Sequence, residues 1–154
     1  MFPSKMEPHM KLLAFDFTSL TQTRSHSKSF TRKGIPISRV ESLGTVVSRD
    51  LKPSRFLKFK LDDGTGCIAC ILWLNQLSSN QNPSTVRLIA QVANHLAEEI
   101  KMGRVARVRG RVTGYRGRIQ ITVSDIVIER DPNAQILHWL ECIRLARKVL
   151  DSCK

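Results

Sequence analysis

Between Val40 and Glu129 the sequence passes through five stretches with the character of β-strands, and one long helical stretch separates the third from the fourth. The clearest is Phe56 to Leu61, where Leu57, Phe59 and Leu61 share one face and Phe56, Lys58 and Lys60 share the other. Asp62-Asp63-Gly64-Thr65-Gly66 then reads as a turn of the aspartate–glycine type. It predicts an antiparallel hairpin with Cys67 to Leu74, in which Ile68, Cys70 and Leu72 point inward and Trp73 points away. Val40 to Ser48 alternates more weakly, and Gly44 predicts a bulge or bend. Val105 to Gly114 and Arg118 to Glu129 form the last hairpin, joined at Tyr115-Arg116-Gly117.

Two helices complete the pattern. Asn82 caps the first and Pro83 suits its opening position. Val86, Ile89, Val92, Ala93, Leu96 and Ile100 form its apolar face, and Gly103 ends it. Asp131-Pro132 repeats the capping logic and predicts a helix running to about Asp151. Three strands, a helix, two strands and a helix is the order of the oligonucleotide-binding (OB) fold. This fold is a five-stranded Greek-key barrel with a helix between strands three and four, and its closure removes the sheet edges. At 154 residues the chain is sized for one domain. The expected division is a partly flexible basic arm over 1–33, the barrel over 34–130, and a C-terminal helix for partner docking over 131–154. Within the arm, Leu12 to Phe17 is apolar enough to pack on the barrel as an extra strand or turn, whereas Thr21 to Lys33 lacks periodicity and is expected to be mobile.

Charge narrows the partners. The chain holds 25 Lys and Arg against 13 Asp and Glu, a formal +12, which attracts polyanions. The positive groups are concentrated: Lys101 to Arg118 carries seven and no acid. No apolar run approaches the roughly 18–20 residues of a membrane span. Met1 to Lys11 contains Glu7 and no apolar stretch of a signal peptide's kind. Cys67 and Cys70 have the spacing of a zinc knuckle, but on a strand they face opposite ways, so free thiols and no metal are expected. His9, His26, His95 and His138 are dispersed, no phosphate loop or nucleophile motif is present, and only Asp125 lies near the basic strand; no enzyme and no cofactor is expected.

Arg107, Arg109 and Arg111 are two apart on one strand, so they share a face, while Ala106, Val108 and Val112 face the core. Lys58 and Lys60 repeat that geometry on the second strand. Together these residues suggest an electropositive track for a single strand, against the alternative of an ordinary solvated face. Base-stacking platforms are scarce: Tyr115 at the hairpin tip beside Arg116 and Arg118, Phe56 next to Lys58, and Trp73, which is otherwise buried under the first helix. On the last helix Ile136, Trp139, Leu140, Ile143, Ala146, Val149 and Leu150 cover about half the circumference, more than the roughly 100° a surface helix needs. Part of that arc packs on the barrel, and the surplus either joins it or receives a partner, with Ile136, Trp139, Leu140, Ile143 and Leu150 as the contact set.

Gly34-Ile35-Pro36-Ile37-Ser38-Arg39-Val40 followed by Gly44-Thr45-Val46-Val47 resembles the opening of the OB domain shared by the middle subunit of replication protein A and the Stn subunit of the CST (Ctc–Stn–Ten) telomere-capping complex. Leu61 to Gly66 leading to Trp73 is similar to both, while Lys11 to Phe17 and Asp131-Pro132-Asn133 leading into Ile136-Leu137-His138-Trp139-Leu140-Glu141 resemble the plant Stn subunit. The resemblance implies a nuclear protein of the chromosome telomere that binds single-stranded DNA and supports DNA polymerase α–primase in fill-in synthesis. Implied partners are a Ten-like small OB-fold subunit with a Ctc-like large subunit. It also implies Trp73 and Tyr115, with Arg116 beside it, as DNA-contact positions. A replication protein A middle-subunit role and an RNA-binding OB protein are the alternatives.

Overall fold

The computed structural model describes residues 9–22, 30–32, 35–75 and 83–150. Short elements come first: β1 (Met10–Lys11), α1 (Ala14–Phe17), β2 (Thr21–Gln22), β3 (Phe30–Arg32) and β4 (Ile35–Ile37). The barrel follows as β5 (Arg39–Lys52), β6 (Phe56–Asp62), β7 (Cys67–Trp73), α2 (Pro83–Glu99), β8 (Val105–Tyr115) and β9 (Arg118–Glu129). The C-terminal helix α3 (Ala134–Leu145) ends in a π-helical turn over Ala146–Leu150, where the sequence predicts α-helix to about Asp151.

Strands run β5-β6-β7-β9-β8, and a further β5–β8 pairing closes the ring. β7 and β9 are parallel and the other barrel pairs antiparallel, so this is the five-stranded OB barrel with a helix between its third and fourth strands. One long strand closes it. β5 pairs with β8 over Arg39 to Thr45 and with β6 over Thr45 to Lys52, which demands a sharp bend near Gly44. A side chain at Gly44 would lie 2.8 Å from the Asp62 carbonyl oxygen, so only glycine permits that approach. Gly110, at the bulge of β8, is tighter still, with the Thr122 carbonyl oxygen 2.2 Å from where a Cβ would stand.

Alternation decides the interior. Leu57, Phe59 and Leu61 of β6, Ile68, Cys70 and Leu72 of β7, and Ala106, Val108 and Val112 of β8 are all buried. The turn Asp62 to Gly66 forms as expected, with the Gly64 amide on Asp62 Oδ1 and Gly64 at φ +91°. Its second acid also ties down the N-terminal segment: Asp63 Oδ2 accepts the Ala14 amide at 2.7 Å. Leu12, Ala14 and Phe17 are buried in the barrel's core cluster. Inside the segment expected to be a mobile arm, β2 and β3 instead join β4 in a small sheet. The reason is Phe30, buried at 2% exposure, together with the Arg32–Asp16 ion pair at 2.8 Å, contacts that no periodicity announces. Asn82 lies outside the described residues.

Helix α2 closes one end of the barrel with its C-terminal part only. Ala97 and Ile100 are buried, and Arg49 of β5 caps the terminus by donating to the carbonyls of Ile100 and Ala97 at 2.8 and 2.9 Å. Leu88, Ile89 and Val92, toward the N-terminal end of the same helix, stay exposed.

Candidate nucleic-acid interface

Register places a row of side chains across the outer wall of the barrel. Phe56 faces Trp73, Ile71 faces Thr122, Thr122 faces Arg111 and Arg111 faces Arg39. Partners in register lie on the same side of a sheet, so one wall carries aromatics at one end and guanidinium groups at the other. At the aromatic end, Phe56 and Trp73 meet edge to face with centroids 5.7 Å apart. Lys58 Nζ sits 5.2 Å from the Phe56 ring centre and Arg55 sits 5.9 Å from it. Trp73 is 39% exposed, so α2 does not cover it. It stands instead on the edge of a groove of about 670 Å³ between α2 and the wall, which Arg39, Arg111 and Thr122 also line.

The three arginines of β8 share a face, as their spacing requires, but they do not form one continuous free track. Glu41 of β5, only 2% exposed, stands directly across from Arg109 and ion-pairs with it. The same carboxylate takes Arg107 Nη1 at 3.0 Å, and Arg107 Nε reaches Glu129 at 3.1 Å. Burial pushes the Glu41 carboxyl up, yet the Arg109 hydrogen bond and the charges of Arg109, Lys11 and Arg107 outweigh it, holding the group below its ordinary range. Only Arg111 of the three lines the groove. Lys60, Arg116 and Arg118 are exposed, and Arg116 turns the hairpin at φ +50°. Tyr115 pairs with Arg118 in the ladder; its side chain lies outside the described residues.

Helix α3 docks on a different face from the one its apolar arc suggests. The buried residues are Ala134, His138 and Cys142, spaced by four, and they lie over the wall that carries Glu41. His138 Nε2 is 3.3 Å from Cys142 Sγ, while its Nδ1 meets no hydrogen-bond partner among the described residues. Burial lowers the His138 pKa, with Arg107 and Lys11 adding to the effect and Glu41 and Asp63 opposing it. Burial also pushes the Cys142 thiol up to about 12. Lys11 binds both Glu41 and, at the rim, Glu141. Because the seam is taken by small and polar groups, Ile136, Leu137, Leu140 and Ile143 remain 39–64% exposed. Trp139 is divided: its ring packs beside Gly64 and its Nε1 donates to the Asp63 carbonyl at 2.8 Å, leaving it 36% exposed. A second groove, of about 430 Å³, runs beside this face between Arg107, Glu129, Ile136 and Leu140. The Leu150 side chain lies outside the described residues.

Sequence reasoning missed Arg39, Glu41 and Thr122. Arg39 and Glu41 are placed only once β5 is paired with β8, some 66–72 residues away along the chain, and Thr122 joins this wall through the pairing of β9 with β7 and β8. Among the described residues no group of three or more His, Cys, Asp and Glu is placed to hold a metal ion, and no helix is long and apolar enough to cross a membrane.

With this geometry in place, the likeness to known proteins becomes informative. Residues 40–129 match the model of the OB-fold nucleic acid binding domain family. CST complex subunit STN1 of Arabidopsis thaliana is 53% identical over 94% of this chain and 92% of its own length. Its counterpart in Ailuropoda melanoleuca is 34% identical over 92% of this chain, which spans only 41% of that longer protein. A 32 kDa subunit of replication protein A from Arabidopsis thaliana is 25% identical over 82% of this chain and 40% of its own length. Among solved structures, a chain of the S. pombe Stn1–Ten1 complex superposes with a TM-score of 0.78 over 96% of this chain and 97% of that one, at 14% identity, a likeness of fold.

Proposed function

The chain belongs to the family of CST complex subunit STN1, an OB-fold nucleic-acid-binding family, and on that footing we propose that it is a non-catalytic subunit of a nuclear telomere end-protection complex. It holds single-stranded telomeric DNA across the barrel wall between Phe56, Trp73 and Arg111, with Lys58, Lys60, Tyr115, Arg116 and Arg118 along the approach. Arg107 and Arg109 are held by Glu41 and contribute field more than contact. Helix α3 docks a Ten-like small OB-fold subunit through Ile136, Trp139, Leu140, Ile143 and Leu150. A Ctc-like large subunit completes the assembly, which supports DNA polymerase α–primase in fill-in synthesis.

The observation that carries this reading is the inverted docking of α3. A helix that buries alanine, histidine and cysteine while leaving Ile136, Leu140 and Ile143 exposed has kept its apolar surface for another protein. A replication protein A middle-subunit role has weaker support, since identity to that relative is 25% against 53%.

Co-expression with a Ten-like subunit tests the proposal. Leu140→Glu should abolish co-purification, a loss of about 2 kcal/mol or more, while shifting the stability of the chain alone by about 0.5 kcal/mol at most. Trp73→Ala in the intact complex should weaken single-stranded DNA binding by about 1–3 kcal/mol with the melting temperature little changed. Retained capture by Leu140→Glu, or unaltered DNA affinity of Trp73→Ala, defeats the corresponding half.

A further inference from the structure

Arg39 and Arg111 stand directly opposite each other on antiparallel strands β5 and β8. Like charges in that position repel and destabilise a sheet. One step along the same face, the identical problem is solved by an acid: Glu41 stands opposite Arg109 and reaches Arg107 as well. Among the described residues no such answer exists for the first pair. Among the described residues, no carboxylate, hydrogen bond or ring contact meets either guanidinium. Arg39 is moreover half-buried, which makes an uncompensated charge less favourable than on an open surface.

The surroundings say what would compensate it. Both arginines line the groove beside α2, with the hydroxyls of Thr113, Thr122 and Ser124, and Trp73 stands on the same wall. Between Trp73 on β7 and Arg111 on β8 lies one strand, β9, and Trp73 stands two residues beyond Ile71 in Arg111's row, so these two residues are about 12 Å apart at the backbone. Two planar forks suit the oxygens of a phosphodiester, and an indole suits the face of a base. We propose that Arg39 and Arg111 together seat one backbone phosphate of a bound single strand, with the neighbouring base directed toward Trp73. This rests on the reading of the groove as a single-strand site and names the residue pair that fixes the strand's position in it.

The test uses the full chain and fluorescent oligothymidylates in which each phosphate in turn is replaced by a neutral methylphosphonate. One position should be far more sensitive than the rest for the wild-type protein. Arg39→Ala should weaken binding about ten- to a hundredfold and reduce the salt dependence by about 0.7 log units per log salt, one phosphate's worth. In the Arg39→Ala, Arg111→Ala double variant the sensitive position should lose its sensitivity. Without DNA, Arg39→Ala should melt no lower than wild type, because it relieves a repulsion. The seat is overturned if Arg39→Ala loses no more affinity than Lys101→Ala, a charge outside this wall, or if every phosphate position is equally sensitive. It is also overturned if oligoglutamate displaces the DNA at comparable concentration. If the wild-type chain binds no single strand at all, the underlying reading of the groove falls with it, an outcome distinct from the three before it. Should Arg39→Ala fail to fold, the wild-type methylphosphonate scan decides alone.

Discussion

The barrel interior and the seam beneath α3 are both buried, yet they are made of different chemistry. Inside the barrel, Leu57, Phe59, Leu61, Ile68 and Ile121 are at most 2% exposed and pack against one another. Beneath α3, the most buried groups are Glu41, tied to Lys11, Arg107 and Arg109, and the His138–Cys142 pair, which meet each other. Apolar burial is non-directional and tolerates small shifts, whereas a buried charge network holds only while each member keeps its partners. The barrel is therefore built as a stable platform, and α3 is locked to the edge of that network through Lys11, which binds Glu41 and, on α3, Glu141, and through the Trp139 hydrogen bond to the Asp63 carbonyl. That difference fits the proposal that the other side of the helix receives a second protein.

Removing the centre of the lock should have the largest effect. Glu41→Ala leaves Arg109 without its carboxylate and takes one of two from both Arg107 and Lys11, which keep Glu129 and Glu141, a loss of about 3–5 kcal/mol by analogy with broken buried pairs. In a Trp73→Phe background, Trp139 fluorescence should report α3 loosening before the barrel melts. Simultaneous loss of both signals would mean that seam and barrel are one unit.

A core truncation gives the contrasting case. Ile121→Ala, at a fully buried position, should lower stability by about 2–5 kcal/mol. Here Trp139 fluorescence and the barrel's far-ultraviolet signal should fall together, since α3 cannot outlast its platform. An early, separate Trp139 transition in this variant would break the comparison.

Acidification should sharpen it with the smallest effect. His138 has a folded pKa below its ordinary 6.5, so the unfolded chain takes up the proton first as pH falls. Stability is then full above about pH 6.5 and declines as the pH drops toward the lowered folded value. Glu41 has the same sign lower down: its contribution is present above its ordinary 4.5 and lost below it. Melting temperatures measured against pH should therefore show a first decline near pH 6 that His138→Phe removes. A profile unchanged by that substitution would place the acid-sensitive group elsewhere.

The alternation of β6, the Asp62 to Gly66 turn, the helix between the third and fourth strands and the basic stretch of β8 are local properties, and the sequence alone determined them. Backbone period, turn geometry and formal charge are written within a few neighbouring residues. The candidate site divides along the same line. Trp73, Phe56, Lys58 and Arg111 were legible because strand parity puts them on the outer wall. That Arg107 and Arg109 are held by an acid 66–68 residues away, while Arg111 faces Arg39, depends on how β5 bends and pairs. The face α3 presents was decided in the same way. Its apolar arc alone left open which part packs on the barrel and which receives a partner. The wall it meets is charged, so a seam of alanine, histidine and cysteine fits there and the apolar arc is left outside. Only the tertiary structure sets which surface a helix meets, because that depends on the chemistry of the opposing wall as much as on the helix itself.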